Sequence, residues 1–145
     1  MRAVIQRVSF GEVVIADQSV AKIDNGLVVL LGVENGDGQK EIQYLARKIA
    51  NLRIFADNEG KMNLSVLDIN GKIIVVSQFT LMADTSKGNR PSFIHAAPPD
   101  VASPLVDSFV KEICNYGIET QPGEFGANML VKIHNNGPVT ILIDA

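Results

Sequence analysis

One cysteine, two histidines and no tryptophan occur in 145 residues. A lone Cys114 excludes an intramolecular disulfide and any zinc site built on several thiolates. It follows Val110 at helical spacing, so it is expected in the core as an inert thiol. His95 and His134 lie far apart in the chain with no Glu-flanked helical pairing, and no metal is expected. Long apolar runs are missing as well: residues 27–31 and 73–76 fall far short of the ~20 residues of a membrane span. Residues 1–7 hold neither an apolar signal core nor a cleavage site, so the expectation is a cytoplasmic protein. An excess of positive charge is the last absence. Thirteen Lys and Arg stand against sixteen Asp and Glu, a net charge of −3. A protein that grips a long nucleic-acid backbone usually shows a basic excess, so any contact here should be with a short end or a local feature.

What is present reads as one folded unit over residues 1–145. Hydrophobic residues make up 46% and charged residues 20%, close to the averages of soluble globular chains, which excludes disorder and rod-like repeats. Strands are expected over 1–10 and 12–16, then over 19–23 and 27–33 about the turn Asp24-Asn25-Gly26. Ile42, Leu45, Ala46 and Ile49 recur on one helical face that reaches about Leu52. Turns at Asp57-Asn58-Glu59-Gly60 and Asn70-Gly71 flank residues 64–69, and 72–81 is the clearest strand. Residues 82–99 carry Gly88, Pro91, Pro98 and Pro99 with little periodicity, and loops of that length are usually functional or disordered. A second helix is expected to begin between Asp100 and Ser103, to keep Pro104 in its first turn, to bury Val106, Phe109, Val110 and Ile113, and to stop at Gly117. Strands over 129–133 and 139–143 close the chain. Two main helices against seven or eight strands grouped in hairpins predict an α+β fold, a curved or barrel-like mixed sheet with flanking helices.

The familiar signatures of chemistry do not occur: there is no Gly-x-Ser-x-Gly elbow, no phosphate loop and no dinucleotide fingerprint. Three places remain where polar groups meet apolar surroundings. Ser77-Gln78-Phe79-Thr80 caps the clearest strand, and a period of two puts Gln78 and Thr80 on one face, Ser77 and Phe79 on the other. This is either a strand reaching water or a set of hydroxyls, an amide and main-chain N–H groups able to hold a carbonyl oxygen as an oxyanion. Gly137-Pro138 precedes the last strand, as an ordinary turn or as a close backbone approach to a ligand. The loop Lys87-Gly88-Asn89-Arg90-Pro91-Ser92-Phe93 sets two cations near an aromatic, a solvated loop or a contact for phosphate or ribose.

The sequence resembles the D-aminoacyl-tRNA deacylase family along essentially its whole length. The resemblance runs through Met1-Arg2-Ala3-Val4-Ile5-Gln6-Arg7-Val8-Ser9, Tyr44 to Ile49, Asn51 to Phe55 and Lys61 to Ser65. It continues through Ser77-Gln78-Phe79-Thr80-Leu81, Arg90-Pro91-Ser92-Phe93, Phe125-Gly126-Ala127 with Met129, and Gly137-Pro138-Val139-Thr140. Phe10-Gly11, Met82 and Asn136 depart from the usual pattern without touching the two signature motifs. The resemblance implies hydrolysis of the ester between a D-amino acid, or glycine, and the 3′-terminal adenosine of tRNA, by a homodimer that uses no metal or other cofactor. It implies that Ser77, Gln78, Phe79 and Thr80 line one wall of the pocket, with Gln78 and Thr80 nearest the chemistry. Gly137 and Pro138, joined by a cis peptide, would enter from the other subunit, and Phe125 and Met129 would lie near the terminal adenine. A threonine hydroxyl without a base is a weak nucleophile, so the expected reaction is attack by water assisted by the RNA's own hydroxyl, with Thr80 or Gln78 positioning. The rival readings are a non-catalytic RNA-end binding module and an esterase or peptidase with a Thr or Ser nucleophile.

Overall fold

The apolar runs at 27–31 and 73–76 lack polar alternation because both of their faces are covered. In the computed structural model, which describes residues 1–145, they form strands β3 (Gly26–Gly32) and β6 (Lys72–Ser77), paired in parallel from Gly26↔Lys72 to Leu31↔Ser77. Leu27, Val29, Leu31, Ile73 and Val75 join the larger core beneath the helices, while Val28, Ile74 and Val76 join a smaller cluster on the opposite face. Parallel strands buried on both sides read as continuous hydrophobic sequence.

Strand β1 (Arg2–Ile15) is the spine of the sheet. Its first half pairs antiparallel with β3 and its second with β2 (Gln18–Ile23), and its other edge pairs with β8 (Leu130–Asp144) along nearly its whole length. The break expected between 10 and 12 does not occur. A Cβ on Gly11 would lie 2.8 Å from Val28 Cγ2, so the glycine lets the strand bend against β3 instead of ending it. Residues 129–133 and 139–143 were likewise expected as two strands and form one. Its register against β1 shifts between Gln6 and Val8, and the extra residues 136–139 bulge there without reversing the chain.

The short strand β7 (Thr120–Pro122) pairs in parallel with β6, and Gln121 Oε1 accepts the N–H of Lys22 at 2.7 Å, which brings β2 against β7. The mixed sheet β2-β1-β3-β6-β7, with β8 on the far edge of β1, thereby curls into a nearly closed barrel. Strands β4 (Phe55–Ala56) and β5 (Met62–Leu64) form a separate hairpin.

Two helices cover the larger core. Helix α1 (Gln39–Ala50) buries Ile42, Leu45, Ala46 and Ile49, as its spacing predicts. Main-chain N–H groups of Glu41 itself and of Gly38 hold the Glu41 carboxyl below the usual carboxylate range. Helix α2 (Pro99–Asn115) buries Val106, Phe109 and Ile113, and Gly117, at φ 83°, follows its end. Its start corrects the expectation. Pro99 takes the first turn, where a missing N–H costs nothing, and Pro104 therefore falls inside the helix. Cys114 is exposed, not in the core: Ile113 occupies the buried position, and the next residue turns away by about 100°. The architecture is α+β with a barrel-like mixed sheet and two helices, and no helix is long and apolar enough to cross a membrane.

Candidate active site

Where β6 ends, the chain does not continue as a strand to Leu81. Gln78 N–H still donates to Leu31 O at 2.8 Å, but Leu81 N–H donates back to Gln78 O and Ala83 N–H to Thr80 O, which winds Phe79–Met82 into a 3-10 turn. The period-two assignment of Gln78 and Thr80 to a shared strand face is therefore wrong. What brings them together is the turn: Gln78 Nε2 donates to Thr80 Oγ1 at 2.5 Å. Two features pin it. Met82 is buried and packs over Gly32, where a Cβ would lie 2.8 Å from Met82 Cε and 3.1 Å from Gln78 O. Arg2 Nη1 donates to Leu81 O at 3.1 Å, while Nε and Nη2 of the same guanidinium donate to the two Asp144 carboxylate oxygens. That fork holds the Asp144 carboxyl below the usual range.

Beside the turn lies a cleft of about 620 Å³, walled by the ends of β3 and β6, the first turns of α2 and the segment leading into β8. Ser77, Gln78, Phe79, Phe125 and Met129 line it. Thr80 is exposed and bonded to Gln78 but outside the lining. Met129 lies close over the main chain of Gly123, where a Cβ would meet its sulfur at 2.7 Å, and Gly126, at φ 77°, turns the chain next to Phe125. Pro99, Ala102 and Val106 add an apolar side from α2 that sequence reasoning did not assign to a site, although their spacing places them on one helical face. Phe93, in the loop 83–98, meets Phe79 edge to face with ring centroids 5.0 Å apart.

No residue in the lining is a histidine, carboxylate, lysine or arginine. Carboxyls held below their ordinary range lie elsewhere, each bonded to main-chain or side-chain donors: Asp68 by Ser65, Asp57 by Asn63 and the Lys61 amide, Glu12 by Lys132, Glu119 by Lys72. The cleft thus offers the amides of Gln78 and Asn128, the Ser77 hydroxyl and a largely apolar surround, next to the opening N–H groups of a helical turn. Such a set can bind a neutral nucleoside and polarise a carbonyl, and it has no side chain able to take a proton at neutral pH.

Gly137 and Pro138 lie elsewhere on the chain. Their peptide is cis, both are exposed, and they form the bulge of β8. Arg7 Nε donates to Asn136 O at 3.0 Å and its Nη1 to Ile54 O at 2.5 Å, while Asn135 Oδ1 accepts Val139 N–H across the bulge. Arg2 reaches the 3-10 turn and Arg7 reaches the bulge, so five residues of β1, about 17 Å at ~3.4 Å each, separate the two motifs along the sheet. Within one chain they do not meet.

A family model described as D-Tyr-tRNA(Tyr) deacylase matches residues 4–144. The chain is 55% identical over 145 residues to the D-aminoacyl-tRNA deacylase of Thermosipho africanus (strain TCF52B), covering 100% of this chain and 97% of that one. It is 56% identical over 146 residues to the D-aminoacyl-tRNA deacylase of Flavobacterium psychrophilum (strain ATCC 49511 / DSM 21280 / CIP 103535 / JIP02/86), again over 100% and 97%. Among solved structures, a c-Myc DNA Unwinding Element Binding Protein superposes with a TM-score of 0.94 at 40% identity, over 100% of this chain and 99% of that one. A probable eukaryotic D-amino acid tRNA deacylase shares the fold with a TM-score of 0.84 at 18% identity, over 99% and 98%.

Proposed function

Since the chain belongs to the D-Tyr-tRNA(Tyr) deacylase family, we propose that it hydrolyses the ester joining a D-amino acid, or glycine, to the 3′-terminal adenosine of tRNA, releasing free amino acid and tRNA as a proofreading step of translation in the cytoplasm. The observation that carries this reading is the cleft itself: apolar walls sized for one nucleoside with its amino acid, and a polar corner at Ser77, Gln78 and the turn at Phe79–Met82. An aminoacyl ester is a reactive acyl donor with a 2′-hydroxyl beside it, so positioning and an oxyanion hole can supply most of the acceleration. Phe79 and Thr80 open the turn, and opening amides have no acceptor inside it. These N–H groups receive the developing oxyanion. Gln78 and Thr80 position the ester, water attacks, and the RNA's hydroxyl takes part in the proton transfer that no lining side chain can make. Phe125 and Met129 hold the adenine.

Chirality is read by Gly137 and Pro138 of a second copy. A general D-specific enzyme must read what all its substrates share, the α-ammonium and the α-hydrogen. Rigid backbone suits that task, because a carbonyl accepts from the ammonium while the bulge leaves no space for an L side chain. Support for a homodimer is the distance between the two motifs within one chain, together with the outer edge of β8, which carries Leu130 and Leu142 exposed. The net charge of −3 favours contact with an RNA end over grip on a long nucleic-acid backbone. The test is deacylation of D-Tyr-tRNA, Gly-tRNA and L-Tyr-tRNA by the purified protein. Hydrolysis of the first two and sparing of the third is expected, and hydrolysis of none refutes the reading.

A further inference from the structure

The cleft carries two aromatic rings, and the loop between them two cations, to which the hydrolysis of the terminal ester assigns no part. Phe79 is 57% exposed and Phe93 36% exposed, although both are large apolar rings, and they meet edge to face at 5.0 Å. Immediately before Phe93 the chain makes a pinned excursion. Asp84 and Ser92 exchange two main-chain hydrogen bonds of 2.8 and 2.9 Å, Asp84 Oδ1 accepts Ser86 N–H at 2.9 Å, and Gly88, at φ 80°, turns the tip. Lys87 and Arg90 stand on this excursion, exposed and in no ion pair. The cleft lining contains no cation at all. The lining therefore holds no countercharge for the 5′-phosphate of a nucleoside bound there.

Building on the function proposed above, we propose that the Phe79–Phe93 pair and the Lys87–Arg90 excursion form a second subsite. It takes the nucleotide immediately 5′ of the terminal adenosine. Its base stacks on the exposed aromatic pair, and the phosphate linking it to the adenosine is neutralised by Arg90 and Lys87. Stacking on an aromatic face accepts any base, and a lysine or arginine on a phosphate fixes position without reading sequence. The subsite therefore recognises a single-stranded RNA end in general, which suits an enzyme acting on many tRNAs. It also reconciles an acidic protein with an RNA substrate, because only two cations are required and both stand on the loop that joins Met82 to Phe93 of the cleft lining.

Three D-tyrosyl esters separate the parts: of adenosine, of 5′-phosphoadenosine, and of the dinucleotide cytidylyl-adenosine. For the unmodified protein, kcat/KM is expected to rise from the first to the second and again to the third, by about ten-fold or more in total. The doubly substituted Lys87→Ala, Arg90→Ala protein, altered only on the exposed loop, should hydrolyse the adenosine ester within about two-fold of the unmodified rate and lose the gain from the phosphate. Raising salt from about 50 to 200 mM should erode the phosphate gain in the unmodified protein and leave the variant unmoved. Equal hydrolysis of all three esters overturns the subsite while leaving the deacylase reading intact. A phosphate gain that survives in the double variant, or a dinucleotide no better than the phosphoadenosine, also overturns it. Hydrolysis of none of the three by protein that hydrolyses D-Tyr-tRNA overturns the subsite alone, and failure on D-Tyr-tRNA as well refutes the deacylase reading.

Discussion

Thr80 Oγ1 receives a hydrogen bond from the Gln78 side-chain amide, and neither partner touches a group able to accept a proton from the hydroxyl. A nucleophilic hydroxyl needs the opposite arrangement, with a base on its oxygen-bound hydrogen. Thr80→Ala should therefore slow single-turnover deacylation by about ten-fold, the cost of a lost positioning contact, where loss of a true nucleophile costs several orders of magnitude. Because the two side chains form one unit, Gln78→Ala should cost a similar factor, and the double variant little more than either alone. A folded Thr80→Ala protein without measurable turnover would restore the nucleophile. At this scale the sequence was informative about identity and silent about geometry. Ser77, Gln78 and Phe79 stood out as polar and aromatic residues closing an apolar run, and they do line the cleft. Their relation to Thr80 was not legible, because it depends on the chain leaving the strand after Ser77 and winding into a turn.

That turn is held as an element, by contacts that no local propensity encodes. A Cβ on Gly32 would lie 3.1 Å from both Gln78 O and Leu81 Cβ and 2.8 Å from Met82 Cε, so Gly32→Ala must push the turn outward. Overpacking of this kind costs about 1–3 kcal/mol, and the displaced Gln78 and Thr80 should lower kcat/KM by about ten-fold in protein that is still folded. Gly26→Ala is the contrasting case. Its Cβ would fall 1.9 Å from Lys72 O, a main-chain atom locked in the β3–β6 ladder, so urea unfolding should show the greater loss there. If Gly32→Ala keeps full activity, packing against this glycine does not set the turn. The same contrast between local signal and tertiary contact explains which elements the sequence revealed. Helix α1, the paired runs of β3 and β6, and the stop at Gly117 follow from periodicity and turn chemistry and were legible. Gly11 and Gly137-Pro138 look like chain breaks, yet β1 and β8 pass through them, because each strand is carried across its irregularity by the other. Pro104 inside α2 and Cys114 on its outer face were misjudged by less than a helical turn.

For the whole molecule, charge is used as fastening. Asp57, Asp68, Asp84, Glu119 and Asp144 are all held below their ordinary values by hydrogen bonds in the folded state. A carboxyl with a depressed folded value contributes stability fully above its unfolded value, near 4, and loses it as pH falls through the folded value. The melting temperature should therefore drop as pH is lowered from about 4, and a melting temperature unchanged down to about pH 2.5 would show that these bonds do not stabilise the fold. The arrangement of the two motifs leads to a sharper test. Gln78 and Thr80 sit where β3 and β6 end, whereas Gly137 and Pro138 bulge beside Arg7, near where β3 and β6 begin. A site that needs both must draw them from two copies, so a defect in one motif on one chain and a defect in the other motif on its partner fall in the same site and leave the second site intact. Gln78→Ala and Pro138→Ala proteins should each be impaired, the second in D-substrate hydrolysis or in sparing L-substrates. When the two are unfolded together in equal amounts and refolded, random pairing puts about half of the molecules in mixed dimers, each with one site free of both substitutions. Activity on D-Tyr-tRNA should then rise to about a quarter of the unmodified value per chain, with L-Tyr-tRNA spared at that site. Mixing without unfolding should give less, because exchange then waits on dissociation. An activity equal to the mean of the two parents after co-refolding would place the complete site within a single chain, and the bulge of β8 would then have no part in reading the substrate's hand.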